Sequence, residues 1–303
     1  MKKRNFKKQS ITAWLLMLPA LALYAWLVLV PMVQTFYISF TDWEGIGPKT
    51  WAGLNNYIRI FSETEWPAIW AALKNNLAWF AVAVTIPIWI GLFLANILVR
   101  GRVKGGKFFQ MVYFMPQVVS MIVIAIAWKW LFNPLFGPLN EILGSFGLYS
   151  KAGLLSSKST VVFALLFIYV WMSFGYSCLL YTVAIENVDP QIYEAARLDG
   201  ASPAQEFFRI TVPSVRGTTT TITLLMMISS FKAFDLVYSL TNGGPSNSSN
   251  VISLYAYKEG FLYSRMGYAS AVTVAVSILL LGLAQGYLRL RKRKDGEEAG
   301  DER

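Results

Sequence analysis

The sequence predicts an all-α polytopic membrane protein with six transmembrane helices, and three observations support that prediction. Hydrophobic residues make up 55% of the 303 positions and charged residues 15%, against roughly 25% charged in soluble domains. Six stretches contain no charged residue, and five of them reach the ~20 residues with which a helix crosses a bilayer. Lys and Arg concentrate in alternate connections between these stretches, which is typical of cytoplasmic segments.

Each predicted span is placed on one uncharged stretch and extended where apolar sequence continues. The spans are residues 11–40, 75–99, 108–132, 159–185, 217–240 and 266–288. The uncharged part of the fifth, Gly217–Phe231, is short and rich in Thr, so composition alone does not establish it. The basic N-terminus and the basic tail lie on the same side only if the number of crossings is even, and the fifth span makes it even.

The basic residues also predict the orientation, because most of the 27 Lys and Arg residues then lie in the cytoplasm. The cytoplasmic segments are residues 1–10, 100–107, 186–216 and 289–303, and the outer connections are 41–74, 133–158 and 241–265. The first uncharged stretch has 30 residues, longer than the roughly 7–15 residues of the apolar h-region of a signal peptide, so we expect it to be retained. The prediction is a multi-pass protein of the cell membrane with both termini in the cytoplasm.

Composition excludes several kinds of chemistry. The chain has no His, the commonest metal ligand, and its single Cys178 rules out an intrachain disulfide. Residues Gly101–Lys107 match half of a phosphate-binding loop, but Phe108 stands where Ser or Thr would bind Mg²⁺, and no strand precedes it. We expect no catalytic residue, no metal site and no cofactor on this chain. The net charge of +10 is attributed to membrane orientation and not to nucleic-acid binding.

The connection 186–216 predicts two short cytoplasmic helices joined at a glycine, and we call this segment the elbow. Asp189-Pro190 has the residue types of an N-cap and a first helical position, and Gly200 is a typical residue after a helix end. Ser202–Gln205 has the spacing of a capping box, which would start the second helix. Pro213 is expected to end that helix just before the fifth span.

The charges of the elbow favour a protein partner over a lipid surface. A hairpin lying on an anionic membrane should be rich in basic residues, but this stretch has five acidic residues and three Arg. Glu194 and Arg197 are spaced to pair at i,i+3, and Ala195 and Ala196 allow another surface to approach closely. We therefore expect a protein to cover the elbow.

The segment Glu194–Ser214 (EAARLDGASPAQEFFRITVPS) resembles the EAA motif of the permease subunits of ATP-binding-cassette (ABC) importers, written EAA-x3-G-x9-I-x-L-P. Every fixed position is met except the Leu, which is Val212 here. The resemblance implies that the first elbow helix is a coupling helix, seated in a groove of a separate ATPase subunit. The residues that it assigns to coupling are Glu194, Ala195, Ala196, Asp199, Gly200, Ile210 and Pro213.

Three further segments narrow the resemblance to the carbohydrate importers of the oligosaccharide and glycerol-phosphate branch, with a maltose-type first permease. They are Phe231–Pro245 (FKAFDLVYSLTNGGP), Trp130–Pro134 (WLFNP) and Ser39–Trp43 (SFTDW). The resemblance implies a MetI-like importer-permease fold with one permease core at 75–288, in a bacterial or archaeal inner membrane. It further implies a second permease, two ATPase subunits that bind ATP and Mg²⁺, and an extracytoplasmic solute-binding protein that delivers the carbohydrate.

The polar residues near the end of the fifth span can be interpreted in two ways. A charge at the bilayer centre costs roughly 2.5–3.5 kcal/mol on insertion scales, so such residues usually face a cavity or each other. One reading assigns four residues to the sugar path: Lys232, Asp235, Tyr238 and Asn242. The other makes Lys232 and Asp235 an i,i+3 pair at the outer interface and makes residues 242–245 (NGGP) a plain turn.

The sixth span contains a GxxxG pair, Gly282 and Gly286. Small residues at this spacing let two membrane helices approach closely. We expect the pair to serve helix packing, with substrate contact as the less favoured role.

Two alternative functions are left open. One is an ABC permease for another solute, such as glycerol phosphate or a charged oligosaccharide. The other is a secondary transporter, which often has internal repeats at matching positions in its two halves. No such repeat is visible in this sequence, and few ionisable residues lie within the predicted spans.

Overall fold

A computed structural model of the chain describes residues 5–101, 103–145 and 153–301, which are mostly helical. In chain order the α-helices are α1 (Asn5–Tyr24), α2 (Val30–Ile38), α3 (Asn55–Ile60), α4 (Trp66–Ala83), α5 (Ile86–Arg100), α6 (Gly106–Val118), α7 (Met121–Leu131), α8 (Pro138–Ser145), α9 (Val161–Glu186), α10 (Pro190–Leu198), α11 (Pro203–Glu206), α12 (Val212–Ser214), α13 (Arg216–Phe231), α14 (Phe234–Thr241), α15 (Ile252–Tyr257) and α16 (Met266–Asp301). Parts of four predicted segments, 1–10, 100–107, 133–158 and 289–303, lie outside the described residues.

The remaining regular elements are short. Strands β1 (Thr41–Asp42) and β2 (Thr50–Trp51) pair antiparallel. Three π-helical segments join neighbouring helices or extend them: Ala25–Leu29, Phe207–Thr211 and Lys258–Leu262. The fold class predicted from the sequence therefore agrees with the structure.

In the part of the chain that the structure describes, four continuous helical stretches are long and apolar enough to cross a membrane: Leu16–Ile38, Trp66–Arg100, Val161–Glu186 and Met266–Arg291. Two bent pairs, α6 with α7 and α13 with α14, pass the same test when each pair is taken together. Counted as one span each, the bent pairs bring the total to six, the number that the sequence predicts.

The second span begins earlier than predicted. The sequence predicts an outer connection up to residue 74, but α4 begins at Trp66 and is continued by α5 to Arg100. At 1.5 Å per residue these 35 residues extend ~50 Å, well beyond a hydrocarbon core of ~30 Å. A helix of this length extends beyond the hydrocarbon core, so the end of an uncharged stretch does not mark the end of the helix. For the same reason α16 continues past residue 288 to Asp301, since Lys, Arg, Glu and Ala are good helix formers.

The third and fifth predicted spans are not continuous helices. The third is broken at Val119–Ser120, where the backbone is extended and α6 and α7 meet at 96°. The fifth is broken at Lys232–Ala233, where α13 and α14 meet at 41°. Backbone groups freed by a break at membrane depth are tolerated where they are buried in protein or line a cavity. The sequence predicts spans at 108–132 and 217–240 but does not indicate these breaks.

Two of the π-helical segments are followed closely by a proline. Ala25–Leu29 precedes Pro31, and Phe207–Thr211 precedes Pro213. Proline has no N–H to donate, and its ring clashes with the carbonyl four residues earlier in a regular α-helix. The wider π turn removes that carbonyl from the ring, because its hydrogen bonds reach five residues back. Pro213 therefore lies inside a helical path that continues to Ser214, and the prediction that it ends the helix is wrong.

The described residues form two compact units. The first comprises Met1–Trp66 and Ala256–Ile278, and the second comprises Pro67–Tyr255 and Leu279–Arg303. In the first unit the buried Asn56 amide donates to the carbonyls of Ser39 (3.0 Å) and Thr41 (2.8 Å). This amide ties α3 to the end of α2 and to β1.

In the second unit α9 packs most extensively against α5 and α6. Two glycines permit this contact. A Cβ at Gly91 of α5 would lie 2.5 Å from the Cβ of Ser177, and one at Gly175 of α9 would overlap the carbonyl of Tyr113. At Gly282 and Gly286 a Cβ would meet no atom within 4 Å, so the predicted packing role of that pair is not fulfilled within the chain.

Replacing Gly175 with Ala is expected to lower the thermal stability of the chain. The added methyl group would overlap the Tyr113 backbone, and overpacking of this kind typically costs about 1–3 kcal/mol. Gly282→Ala is the matched control, because it places the same group in open space and favours the helix by up to about 1 kcal/mol. Thermal unfolding of the detergent-purified chain, followed by circular dichroism, measures both. An unchanged midpoint for Gly175→Ala would contradict this contact.

Candidate functional site

Both helices of the elbow begin as the sequence predicts. The Asp189 carboxylate accepts a hydrogen bond from the Gln191 N–H at 2.9 Å, with proline at the first position of α10. In α11 the Ser202 N–H donates to the Gln205 side chain (2.7 Å), and the Gln205 N–H donates to the Ser202 hydroxyl (3.3 Å). The first N–H groups of a helix have no acceptor within the helix, and these side chains supply one. Both elbow helices are therefore stabilised by residues of the elbow itself.

The end of α10 depends on Gly200. The Ala201 N–H donates to the Ala196 carbonyl at 2.9 Å, and the Gly200 N–H donates to the Arg197 carbonyl at 3.1 Å. This pair of bonds is a Schellman ending, which requires a left-handed residue, and Gly200 has φ +82°. No atom lies within 4 Å of a Cβ at this position, so the chain itself needs glycine for its backbone angle and not for space.

The two elbow helices are joined by an ion pair. The Arg197 guanidinium donates to both carboxylate oxygens of Glu206, at 2.8 Å and 3.1 Å. The predicted partner, Glu194, is one turn away on the same helix, but the bend at the glycine brings Glu206 into the better position for a two-point contact. The hydrogen bond to Glu206 and its charge raise the pKa of Arg197 above its ordinary value.

Tyr193 attaches α10 to the second span. It is the one buried residue of α10, and the Arg100 guanidinium at the end of α5 lies over its ring, 3.4 Å from the centroid. The Tyr193 hydroxyl lies 3.1 Å from that of Thr211, which in turn donates to the Asn96 side chain at 3.3 Å. We call these four residues, Asn96, Arg100, Tyr193 and Thr211, the α5–α10 joint.

The opposite face of the elbow is open. Glu194 and Ala195 are exposed, and Leu198 is 90% exposed at the end of α10, an unusual position for a large apolar side chain. A shallow depression of about 360 Å³ beside them is lined by Ala196, Asp199, Gly200, Ala201, Gln205, Arg209 and Ile210. Four of the seven predicted coupling residues thus share one depression, two lie on the adjoining exposed face, and Pro213 lies apart.

A second candidate site is a cavity of about 320 Å³ within the membrane-spanning part, which we call the membrane cavity. Three aromatic side chains lie in its wall: Trp79, Tyr169 and Tyr176. Its polar side chains are Gln117, Ser173, Ser229, Lys232 and Asp235, and the rest of the wall is apolar. Trp79 and Tyr169 meet edge-on with centroids 5.1 Å apart, and the Tyr169 hydroxyl lies 2.8 Å from that of Ser229.

Both broken spans open onto the membrane cavity. Gln117 and Met121 flank the break between α6 and α7; Lys232 lies in the break between α13 and α14, and Asp235 lies in the first turn of α14. Discontinuous helices meeting at one cavity are typical of membrane transport sites. Because the helix breaks between Lys232 and Asp235, they do not share a helical face. Among the ion pairs of the described residues none joins these two, so the i,i+3 pairing is wrong.

The other two predicted path residues lie outside the cavity wall. Tyr238 is 43% exposed and stacks on Phe234 with ring centroids 5.2 Å apart. Asn242 ends α14 in a left-handed conformation, with φ +48°, which Asn tolerates. The structure therefore brings Lys232 and Asp235 together at the cavity and leaves Tyr238 and Asn242 apart from it.

Sequence reasoning missed the aromatic wall of the cavity. Trp79, Tyr169 and Tyr176 come from two different spans, and in a chain with 15% aromatic residues nothing distinguishes them from lipid-facing rings. Gln117 did offer a signal, since it is a polar residue directly after Pro116 in an otherwise apolar stretch. A polar side chain beside a helix-breaking residue at membrane depth indicates a cavity.

A family model described as "Binding-protein-dependent transport system inner membrane component" matches residues 87–294. This range contains the elbow, both helix breaks and the cavity wall except Trp79. The match therefore covers most of the chain and the parts of it that carry both candidate sites.

Relatives and solved structures extend the likeness over nearly the whole chain. The probable ABC transporter permease protein YurN of Bacillus subtilis (strain 168) is 35% identical, over 96% of this chain and 99% of that protein. The probable starch degradation products transport system permease protein AmyD of Thermoanaerobacterium thermosulfurigenes is 30% identical, over 96% and 98%. A chain in the crystal structure of a bacterial ABC transporter involved in the import of the acidic polysaccharide alginate has a TM-score of 0.81 at 22% identity, over 96% and 99%.

Proposed function

We propose that this chain, which belongs to the family of binding-protein-dependent transport system inner membrane components, forms half of the pathway by which an ABC importer moves a carbohydrate across the membrane. The observation that carries the proposal is the elbow. Its motif-bearing face is exposed, while its opposite face is attached to the span that lies against the core helix α9. Such an arrangement suits a subunit that receives movement from a partner.

The energy source would lie on that partner. ATP and Mg²⁺ would be bound by two ATPase subunits and not by this chain, whose Gly101–Lys107 segment connects two helices and follows no strand. Closure of the ATPase subunits on ATP would move the elbow and switch the cavity between outward and inward access, which is coupling of two sites through a two-state element. Membership of the importer family removes the secondary-transporter alternative.

A carbohydrate is supported by the chemistry of the membrane cavity. The partly exposed rings of Tyr169 and Tyr176 offer flat apolar surface, and hydroxyl, amide and charged groups beside them offer hydrogen bonds to sugar hydroxyls. The relative named for starch degradation products points to oligosaccharides. An external solute-binding protein would deliver them to the outer loops.

A second permease subunit would complete the pathway. Within the first unit no residue of Leu16–Ile38 is buried, so this apolar helix offers its surface to lipid or to a partner subunit. The cavity, at about 320 Å³, is at the small end of ligand pockets, which suits one wall of a pathway shared with a partner.

The docking surface is tested by placing a charge on the exposed end of α10. Leu198→Asp is expected to lower both co-purification of the ATPase subunit and uptake of a labelled starch hydrolysate by about tenfold or more, because an unpaired carboxylate would be buried in the contact. Ser214→Asp adds the same charge at an exposed position of the same connection and serves as control. Normal co-purification of Leu198→Asp would refute the docking surface.

The substrate path is tested with charge-neutral variants of the cavity wall. Lys232→Gln and Asp235→Asn are each expected to raise the concentration of neutral oligosaccharide for half-maximal uptake about tenfold, since a hydrogen bond to a charged group contributes roughly 1.5–3 kcal/mol. Lys129→Gln, an exposed Lys at the end of α7, is the control. A second candidate function is a permease for glycerol phosphate or a charged oligosaccharide. It is supported if Lys232→Gln alone raises the concentration for half-maximal uptake, and does so only for acidic solutes.

The orientation is proposed from the basic residues of the elbow, the first cytoplasmic connection and the tail. A reporter that is active only in the cytoplasm, fused after Arg303, is expected to give full signal. The same reporter inserted at Gly47, in the first outer connection, should give none. Signal from the outer insertion alone would reverse the proposed topology.

A further inference from the structure

The α5–α10 joint has a geometry that an ordinary packing contact does not require. Tyr193 is fully buried between two exposed neighbours of the motif helix, and α10 buries no other residue. The first elbow helix is therefore attached to the spans through one side chain, whereas the second half of the elbow has several, including Phe207 against Phe93 with ring centroids 6.3 Å apart.

The Arg100 guanidinium lies over the face of the Tyr193 ring. A separation of 3.4 Å between guanidinium carbon and ring centroid is a stacked contact, which the planar arginine side chain makes and the point charge of lysine does not. The Arg100 Nε is buried and has no hydrogen-bond partner in the structure, so this nitrogen is desolvated against the stack. Removal of the ring would leave a half-buried guanidinium, with a buried Nε that has no hydrogen-bond partner, without this contact.

Asn96 holds the other end of the ring. The Tyr193 hydroxyl reaches Thr211, and Thr211 reaches Asn96, which lies one turn before Arg100 on the same face of α5. One side chain of α10 is thus held at two points of a single helix face. Two-point attachment resists both sliding and rotation of α10 against α5.

We propose, on the premise of the function proposed above, that Arg100 and Tyr193 are positioning residues that make the coupling helix move as one body with the second span. Movement imposed on the exposed face of α10 then passes directly to α5 and to α9, which packs against it. Without the joint the ATPase subunits would still bind and hydrolyse ATP. However, α10 would tilt within its contact with the ATPase subunit, and the membrane spans would not move with it.

The test measures rigidity and coupling separately. Spin labels at Gln191→Cys on α10 and Ile97→Cys on α5 report the distance between the two helices in the full-length chain in lipid, and the native Cys178 is buried. Tyr193→Leu and Arg100→Gln are expected to broaden that distance distribution at least twofold. Tyr193→Phe keeps the ring but loses the hydroxyl, so it should broaden the distribution less than Tyr193→Leu, and Lys104→Gln, an exposed cation of the same connection as Arg100, is the matched control.

The complex purified with its ATPase subunits is then reconstituted with its binding protein, and uptake of the labelled starch hydrolysate is divided by phosphate released from ATP. Tyr193→Leu and Arg100→Gln should lower this ratio by ~5-fold or more, the lower end of typical coupling, while ATP hydrolysis is retained. The Tyr193→Phe complex should keep most of the uptake per released phosphate that the unmodified complex shows. A loss of assembly would instead lower hydrolysis and uptake together.

Three outcomes decide the matter. Broadened distances with a reduced ratio support the joint. A Tyr193→Leu variant with an unchanged distance distribution or an unchanged ratio, in a system where the unmodified complex is active, overturns the joint and leaves the proposed function standing. An unmodified complex that neither hydrolyses ATP nor takes up the hydrolysate overturns the proposed function, and the joint with it.

Discussion

Within hydrocarbon every backbone N–H and C=O must find a hydrogen-bond partner inside the protein, and the rest of this structure depends on that requirement. It explains why the spans are helical, and why the helical path near Pro31 widens into a π turn and does not break. It also explains where breaks are allowed. The two large bends, of 96° and 41°, both lie in the wall of the membrane cavity, where freed backbone groups can be solvated or bind a ligand. The two helix breaks therefore form part of the cavity wall, and the cavity is what allows the spans to break there.

Outside the hydrocarbon the same requirement is met by side chains, and the elbow depends on this. Water can satisfy open backbone groups there, yet the elbow uses Asp189, Ser202 and Gln205 as caps and Gly200 as a turn. Self-capping makes the shape of the elbow independent of its partner, so a partner can push on a preformed surface without first having to order it. The Arg197–Glu206 contact has the same effect, because it locks the angle between the two elbow helices.

Features set by neighbours in the chain could be predicted from the sequence, and features set by the tertiary fold could not. The caps at Asp189 and Ser202 and the turn at Gly200 depend on residues within a few positions, and the structure confirms them. Charge distribution is likewise local, so the number of spans was predictable, whereas the MetI-like importer-permease fold was predictable only from the resemblance of the EAA motif. Arg197 illustrates the limit: spacing pairs it with Glu194, but a bend that brings distant residues together pairs it with Glu206. The aromatic wall of the cavity joins two spans and the stack on Tyr193 joins a span to the elbow, and single-chain patterns do not encode such contacts.

The packing of the core helices decides whether movement of the elbow can reach the cavity at all. One buried cluster contains Val215, at the exit of the elbow, and Met226, in the cavity wall, with Tyr181 and Ile222 between them and Phe207 and Tyr169 packed on its sides. Gly91 and Gly175 bring α9 against the backbones of its neighbours, so no space remains there for the helices to absorb a displacement. Close-packed interiors transmit strain and switch between discrete arrangements rather than deform continuously. A displacement of the elbow must therefore repack this cluster or move it as a body, and in either case the Met226 side of the cavity changes with it.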